Sequence, residues 1–233
     1  MNIAVIYGQK HRGNTWALTQ LFLKRLTDKY TDITEFFLPD DGIGYCVGCC
    51  NCFFQGEDRC PHAAAVRKIA AALDAADLIV IASPCYVFGM TGQLKALFDH
   101  FGYRFMAHRP EAAMFRKQAL ALSTAAGLGM NKTAKAIAFN LSMWGVPRIY
   151  RFGLRIGAAD FDHIPEKRKR RLAREIEPLA RKILNKHGRA KAGIKTRFLF
   201  AIMRMRQKQQ SEWNLADRAY WEARGWLGKA RPF

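Results

Sequence analysis

The sequence predicts an α/β domain built on a parallel sheet with helices on both faces, and three observations carry that expectation. Short apolar runs alternate with segments of helical periodicity five times between residues 2 and 188. One run, "DLIVIAS" (77–83), is continuous and β-branched, as a central strand buried on both faces must be. Three of the connecting loops, 8–15, 83–90 and 124–130, are rich in small or polar residues. They are expected to converge, because such sheets bind ligands beyond the carboxyl ends of their strands, where the strand order reverses.

Taken in order, "NIAVIY" (2–7) reads as a buried strand, and Ala17, Leu18, Leu21, Phe22 and Leu26 then share one helical face starting at Asn14. "ITEFFL" (33–38) is a second strand, closed by "PDDG" and followed by a cysteine-rich loop. "AAAVRKIAAALDAAD" (63–77) is a strong helix former. After the strand at 77–83 come a helix at 91–101, a strand at 118–124 and a helix at 131–144, with Asn131 or Thr133 as its cap. "RIYRFGL" (148–154) is the fifth strand. In "EKRKRRLAREIEPLARKILNKHG" (166–188), Leu172, Ile176, Leu179 and Ile183 form an apolar stripe on a basic helix, and Pro178 is expected to kink or divide it. Right-handed crossovers restrict the topology to a few possibilities.

The formal charge of +19 is unevenly spread: residues 146–233 carry 23 Lys/Arg against 8 Asp/Glu, and residues 1–145 carry 15 against 11. We therefore divide the chain into a globular domain, 1–190, and a basic, aromatic helical extension, 191–233. The extension holds the amphipathic "KTRFLFAIMRMRQKQ" (195–209), then Trp213, Tyr220, Trp221 and Trp226. Packing on a second subunit, beside the ligand site, is the expected use of this tail; peripheral contact with a membrane surface and nucleic-acid binding are the alternatives. "MNIAVIYGQ" lacks a basic n-region and the long apolar core of a secretory signal, and no stretch reaches the length of a membrane span, so a cytoplasmic protein with reduced thiols is expected. No Ser/His/Asp set or carboxylate pair suggests hydrolysis.

In the first loop Gly8 and Gly13 permit a tight path, and Asn14 and Thr15 open a helix whose N-terminus attracts anions. Lys10, His11 or Arg12 adds charge. The loop matches neither the phosphate loop ending in Gly-Lys-Ser/Thr nor the dinucleotide GxGxxG, and an ordinary strand–helix turn is the alternative reading. The second loop, "SPCYVFGM" (83–90), places Tyr86, Val87 and Phe88 at a strand's carboxyl edge, where large flat side chains need something flat to cover; capping the core is the alternative. "STAAGLG" (123–129) supplies small residues and free amides opposite. A phosphate site beside an aromatic slot suits flavin mononucleotide (FMN), with backbone amides near its ring nitrogens.

"GQKHRGNT" (8–15), "CVGCCNCFFQGEDRCP" (46–61), "ADLIVIASPCYVFGMTGQLKALFDHF" (76–101), "STAAGLGM" (123–130) and "WGVP" (144–147) together resemble the flavodoxin-like NAD(P)H-dependent FMN reductases, and within them the iron–sulfur flavoprotein branch. The resemblance covers roughly residues 1–160, and the "YW…GW" of 220–226 is also similar to tails in that group. It implies a doubly wound five-stranded sheet of order 2-1-3-4-5, non-covalent FMN, and hydride from NAD(P)H entering at the flavin. The electrons pass on to a quinone, another small acceptor or a protein partner. The alternative is a non-catalytic flavin and iron–sulfur electron carrier. The resemblance also implies a homodimer with the active site near its interface. By position, Gln9, Lys10, Gly13, Asn14 and Thr15 fall on the phosphate loop, Pro84, Tyr86, Val87, Phe88 and Gly89 on the ring loop, and Thr124, Ala125 and Gly127 on the third loop. Where the family loop often begins Gly-Ser and carries a later Ser, this chain has Gln9 and Gly13.

Cys46, Cys49, Cys52 and Cys60 are spaced C-x2-C-x2-C-x7-C, with Pro61 after the last. Three thiolates at two-residue gaps can wrap one face of a cubane and a more distant fourth can close it. A [4Fe–4S] cluster, a zinc site and a metal-free loop all remain open readings. Cys50 lies inside the motif and Cys85 in the ring loop, the latter expected to face the core. His62 reads as a helix cap or surface residue, and His108 with Arg109 either as a group closing over the flavin or binding a nicotinamide phosphate, or as a solvated loop.

Overall fold

Five strands, β1 (Asn2–Tyr7), β2 (Asp32–Phe37), β3 (Leu78–Pro84), β4 (Gln118–Ala125) and β5 (Arg148–Arg155), form one parallel sheet of order β2-β1-β3-β4-β5 in the computed structural model, which describes every residue except Gly42, Ala158, Ala159 and Gln210. Alternation within the strands sorts side chains to two cores. Ala4, Ile6, Ile79, Ile81, Ala119 and Ala121 face α3 (Ala63–Ala75), α4 (Gly92–His100) and α5 (Met130–Met143). Ile3, Val5, Leu78, Val80, Leu120 and Leu122 face α1 (Asn14–Leu26) and α6 (Glu166–Asn185). All seven residues of β3 and all eight of β4 are buried, as the continuous apolar runs require. The doubly wound order expected from the resemblance is the observed one. The chain runs from β1 out to β2 and crosses back to β3, so the reversal lies between the carboxyl ends of β1 and β3.

Two local expectations are corrected. Neither Asn131 nor Thr133 caps α5; Gly129 does, in a left-handed conformation at φ +98°, and Thr133 is buried inside the helix. Pro178 does not divide α6, which runs unbroken for 20 residues because Leu172, Ile176, Ala180 and Ile183 are buried against the sheet and α1. Packing of that face outweighs the roughly 3 kcal/mol that an interior proline costs.

The basic extension forms α7 (Ile194–Lys208) and α8 (Leu215–Ala223). Phe200, Tyr220, Trp221, Trp226 and Phe233 of the extension pack on this chain, while Phe198 and Trp213 are exposed. Phe200, Trp221 and Trp226 are buried in a third core with Met106 and Phe115, and Phe200 stacks on Trp221 with ring centroids 4.8 Å apart. Among the described residues no helix is long and apolar enough to cross a membrane.

Candidate functional site

The three loops at the carboxyl edge are bound to one another by short-range hydrogen bonds. The Gly8 amide donates to the Ala82 carbonyl at 2.8 Å. Thr91 Oγ1 donates to the Gly8 carbonyl, accepts from the Leu94 amide as the N-cap of α4, and occupies the space a Cβ on Gly8 would need, only 2.7 Å from that position. Ser83 Oγ accepts from the Thr91 amide at 3.1 Å. Thr15 Oγ1, in the first turn of α1, shares a 2.6 Å bond with Thr124 Oγ1 at the end of β4, both hydroxyls being buried. The Cys85 amide donates to the Thr124 carbonyl at 2.7 Å. A Cβ on Gly129 would stand 2.5 Å from Cys85 Sγ and 3.1 Å from the Phe88 ring, so the third loop is pressed onto the second.

At the head of this arrangement α1 begins without a side-chain cap, and its first turn holds no acidic residue. Among the described residues, the amides of Asn14, Thr15 and Trp16 have no hydrogen-bond partner, and Asn14 Oδ1 is buried and unpaired. Unpaired amides on a 13-residue helix form a cradle for an anion. Turned over, the Asn14 side-chain amide adds a donor to it. Of the flanking basic residues, only His11 stays at the helix start, its ring 2.7 Å from where a Cβ on Gly13 would stand. Lys10 pairs with Asp40 at 3.2 Å, and the Arg12 guanidinium lies over the Phe37 and Trp16 rings. Gln9 accepts from the Tyr86 hydroxyl at 2.6 Å, joining the first loop to the second.

The second loop holds its apolar side chains away from the core. Tyr86 and Gly89 exchange backbone hydrogen bonds, and Val87 and Phe88 take positive φ values of 49° and 60°. A β-branched residue in the left-handed region is uncommon and costly. This turn leaves Tyr86, Val87 and Phe88 53%, 98% and 58% exposed, beside an exposed Leu128. The core-capping alternative is thereby set aside. Pro84, Thr124 and Ala125 are buried at the carboxyl ends of β3 and β4, and Gly127 faces open space. Thus the residues predicted from all three loops are brought together, except for the Lys10 ammonium. Sequence reasoning missed Ser83 and Thr91, although Thr91 ahead of "GQLK" is a readable N-cap signal.

A second centre lies at the far end of α4. Cys46, Cys49, Cys52 and Cys60 line one small cavity together with His62 and His100. Burial pushes the Cys52 thiol up to about 11, with Cys60, Cys46 and Cys49 adding in that order and Arg109 opposing them. Thus the four thiols of the spacing motif are close enough to sense one another. Cys50 lines the same cavity but is exposed, at φ 57°, with its thiol donating to the Gly48 carbonyl at 3.5 Å. Cys60 Sγ lies 3.6 Å from His100 Nδ1, and His62 stands at the N-cap position of α3, as expected, without a side-chain cap bond and with its ring packed on that of His100 at 4.9 Å. Among the described residues no three His, Cys, Asp or Glu side chains converge as a single bound ion requires.

His108 and Arg109 sit beside this second centre, away from the three loops, and neither is a solvated loop residue. The Arg109 side chain is 5% exposed and bonds Asp217 of α8. No local pattern pairs these two residues, which are 108 positions apart.

The model of the NADPH-dependent FMN reductase family matches residues 1–153. The chain belongs to that family. Among its relatives is an iron–sulfur flavoprotein of Methanocaldococcus jannaschii, 30% identical over 97 residues, or 42% of this chain and 49% of that protein. A second, from Archaeoglobus fulgidus, is 24% identical over 105 residues, 44% of this chain and 47% of the relative. The chain thus spans about half the length of the curated relatives it matches. The fold is also that of an FMN-dependent NADH-azoreductase from Bacillus anthracis solved with FMN, at a TM-score of 0.60 and 13% identity, covering 78% of this chain and 99% of that one.

Proposed function

We propose that this family member is an FMN-dependent oxidoreductase that takes hydride from NAD(P)H and passes electrons to a quinone, another small acceptor or a protein partner. One observation carries the reading: an uncapped helix N-terminus with three unpartnered amides stands beside a strained turn that keeps two aromatic rings out of the core. The first feature fits a phosphate and the second a flat ring system. Gly13, Asn14 and Thr15, with Gln9 at the edge, would hold the FMN phosphate. Pro84, Tyr86, Val87, Phe88 and Gly89 would hold one side of the ring, and Thr124, Ala125 and Gly127 the other. When bound, the flavin supplies hydride acceptance and electron transfer. The chain's own residues orient it and exclude water, and the unpaired amides set the polarity at its edge. Residues 1–190 would form the flavin-binding domain and 191–233 its extension. The test is an absorption spectrum of anaerobically purified protein, followed by NADH and NADPH oxidation with menadione as acceptor. A flavin spectrum and quinone-dependent oxidation are expected; protein that neither holds nor takes up FMN overturns the reading.

A second reading, a flavin and iron–sulfur electron carrier, is favoured by the four thiols grouped around Cys52. Cys46, Cys49, Cys52 and Cys60 would hold a [4Fe–4S] cluster, which supplies single-electron transfer. Helix α4 starts beside the ring loop and ends at His100 in the cysteine cavity, a span of roughly 13 Å at about 1.5 Å per residue. Iron and sulfide analysis tests the cluster. Full FMN loading with no NAD(P)H oxidation would select the carrier.

A further inference from the structure

The cysteine loop is poorly equipped to order itself. Its α-helix, α2 (Asn51–Phe54), is one turn long, is followed by a three-residue 3-10 turn at Glu57–Arg59, and buries none of its residues. Cys46, Cys49 and Cys50 are exposed. A single turn is far below the length at which a helix persists in water. What holds it comes from elsewhere in the chain. Arg109 Nη2 donates to the Cys52 carbonyl, and to Glu57 Oε2 at 3.1 Å, while Nη1 reaches the Phe53 carbonyl at 3.5 Å. These carbonyls lie at the C-terminal end of α2, where a cation complements the helix. The same guanidinium is held by Asp217 of α8 at 2.5 Å, with both side chains at most 5% exposed. The other Asp217 oxygen is 2.7 Å from His108 Nδ1, and the His108 ring packs on Phe53 at 4.7 Å. A separate contact brings Trp213, just before α8, against Phe54 at 5.6 Å.

We infer that residues 213–217 of the extension are the latch that orders the cysteine loop, with Asp217 acting through Arg109 as a positioning pair. Cluster uptake by the loop rests on the carrier reading above; the latch itself is read on the thiols. Without the buried Asp217 carboxylate the guanidinium keeps only the partly exposed Glu57 and turns toward water. Its grip on the Cys52 and Phe53 carbonyls then goes with it. The apolar contacts of Phe53 and Phe54 are too small to hold the loop alone. The loop then opens locally while the sheet stays folded.

The experiment uses the full chain, free of iron, and measures iodoacetamide labelling of each cysteine by mass spectrometry. Cys85 lies outside the loop and reports on the rest of the fold. Asp217→Asn is expected to raise labelling of Cys52 and Cys60 by about tenfold, in proportion to the open population, with Cys85 unchanged. Asp217→Glu, which restores the carboxylate, recovers most of the protection, as loss of shape alone would not. Trp213→Ala, at an exposed site, raises the same two rates by about threefold. Wild-type labelling rates in both Asp217→Asn and Trp213→Ala overturn the latch. If Asp217→Asn also exposes Cys85, Trp213→Ala decides. Iron and sulfide reconstitution is scored separately: a wild-type loop that is protected but takes up no iron removes the cluster and leaves the latch intact.

Discussion

The bond between Thr15 and Thr124 gives a quantitative test of how the site is built. It joins α1 to the end of β4, with the two residues 4% and 3% exposed and their hydroxyls 2.6 Å apart. In Thr124→Val the bond is lost and the Thr15 hydroxyl stays buried without its partner. The lost bond is worth about 0.5–1.5 kcal/mol and the stranded hydroxyl costs about 1–3 kcal/mol, so a loss of roughly 2 kcal/mol is expected. Thr15→Val should cost a similar amount for the same reason. The double variant strands nothing, and replacing both partners by apolar groups is close to neutral, so its loss is expected below about 1 kcal/mol. Urea denaturation of flavin-free protein, at unchanged m-value, measures all three. The expected coupling is about 3 kcal/mol, well beyond the 0.3–0.5 kcal/mol scatter of independent sites. A double variant that loses the sum of the two singles refutes the view that this hydroxyl pair holds the two loops together.

Gly129→Ala should weaken FMN binding by at least about tenfold in a fluorescence-quenching titration, since φ +98° and a Cβ 2.5 Å from Cys85 Sγ force the third loop off the ring loop. Val87→Asn should raise stability by about 1 kcal/mol by relieving a left-handed valine, while lowering FMN affinity if the valine covers the ring; unchanged affinity would remove Val87 from the site. Trp221→Ala should cost about 3–5 kcal/mol in denaturant unfolding, because the ring is fully buried against Phe200 and Trp226; a loss below about 1 kcal/mol would mean that the third core does not stabilise the protein. With 23 cations against 8 anions in residues 146–233, Tm should rise as salt approaches about 1 M, where the Debye length is about 3 Å; a fall would show that the surface ion pairs outweigh the repulsion.

What could be read from the sequence follows from where the physics is local. β3 and β4 were legible because a strand buried on both faces has a continuous apolar centre, as "LIVIA" (78–82) and "ALAL" (119–122) do. The first turn of α1 was legible because a glycine before Asn14-Thr15 marks a helix start with free amides. The loop at 86–88 stood out because three large apolar side chains are out of keeping with a strand-to-helix turn, and they are exposed there. Pro178 misled because a local penalty competes with tertiary burial, and Ile176 and Ala180 on either side of it are buried against the core. Thr133 misled because capping depends on the backbone angle at Gly129, which no side-chain pattern reports. Arg109 was beyond reach for another reason. Its partners are the carbonyls of residues 52 and 53 and a carboxylate at 217, and nothing in its own neighbourhood encodes them.

That long separation has a consequence for biosynthesis. Arg109 leaves the ribosome 108 residues ahead of the carboxylate that anchors it. At about 5–20 residues per second this leaves the thiol segment unsecured for on the order of 5–20 s in every round of translation. If the latch orders the segment, its thiols stay open to oxidants until α8 has emerged, for a time set by elongation speed.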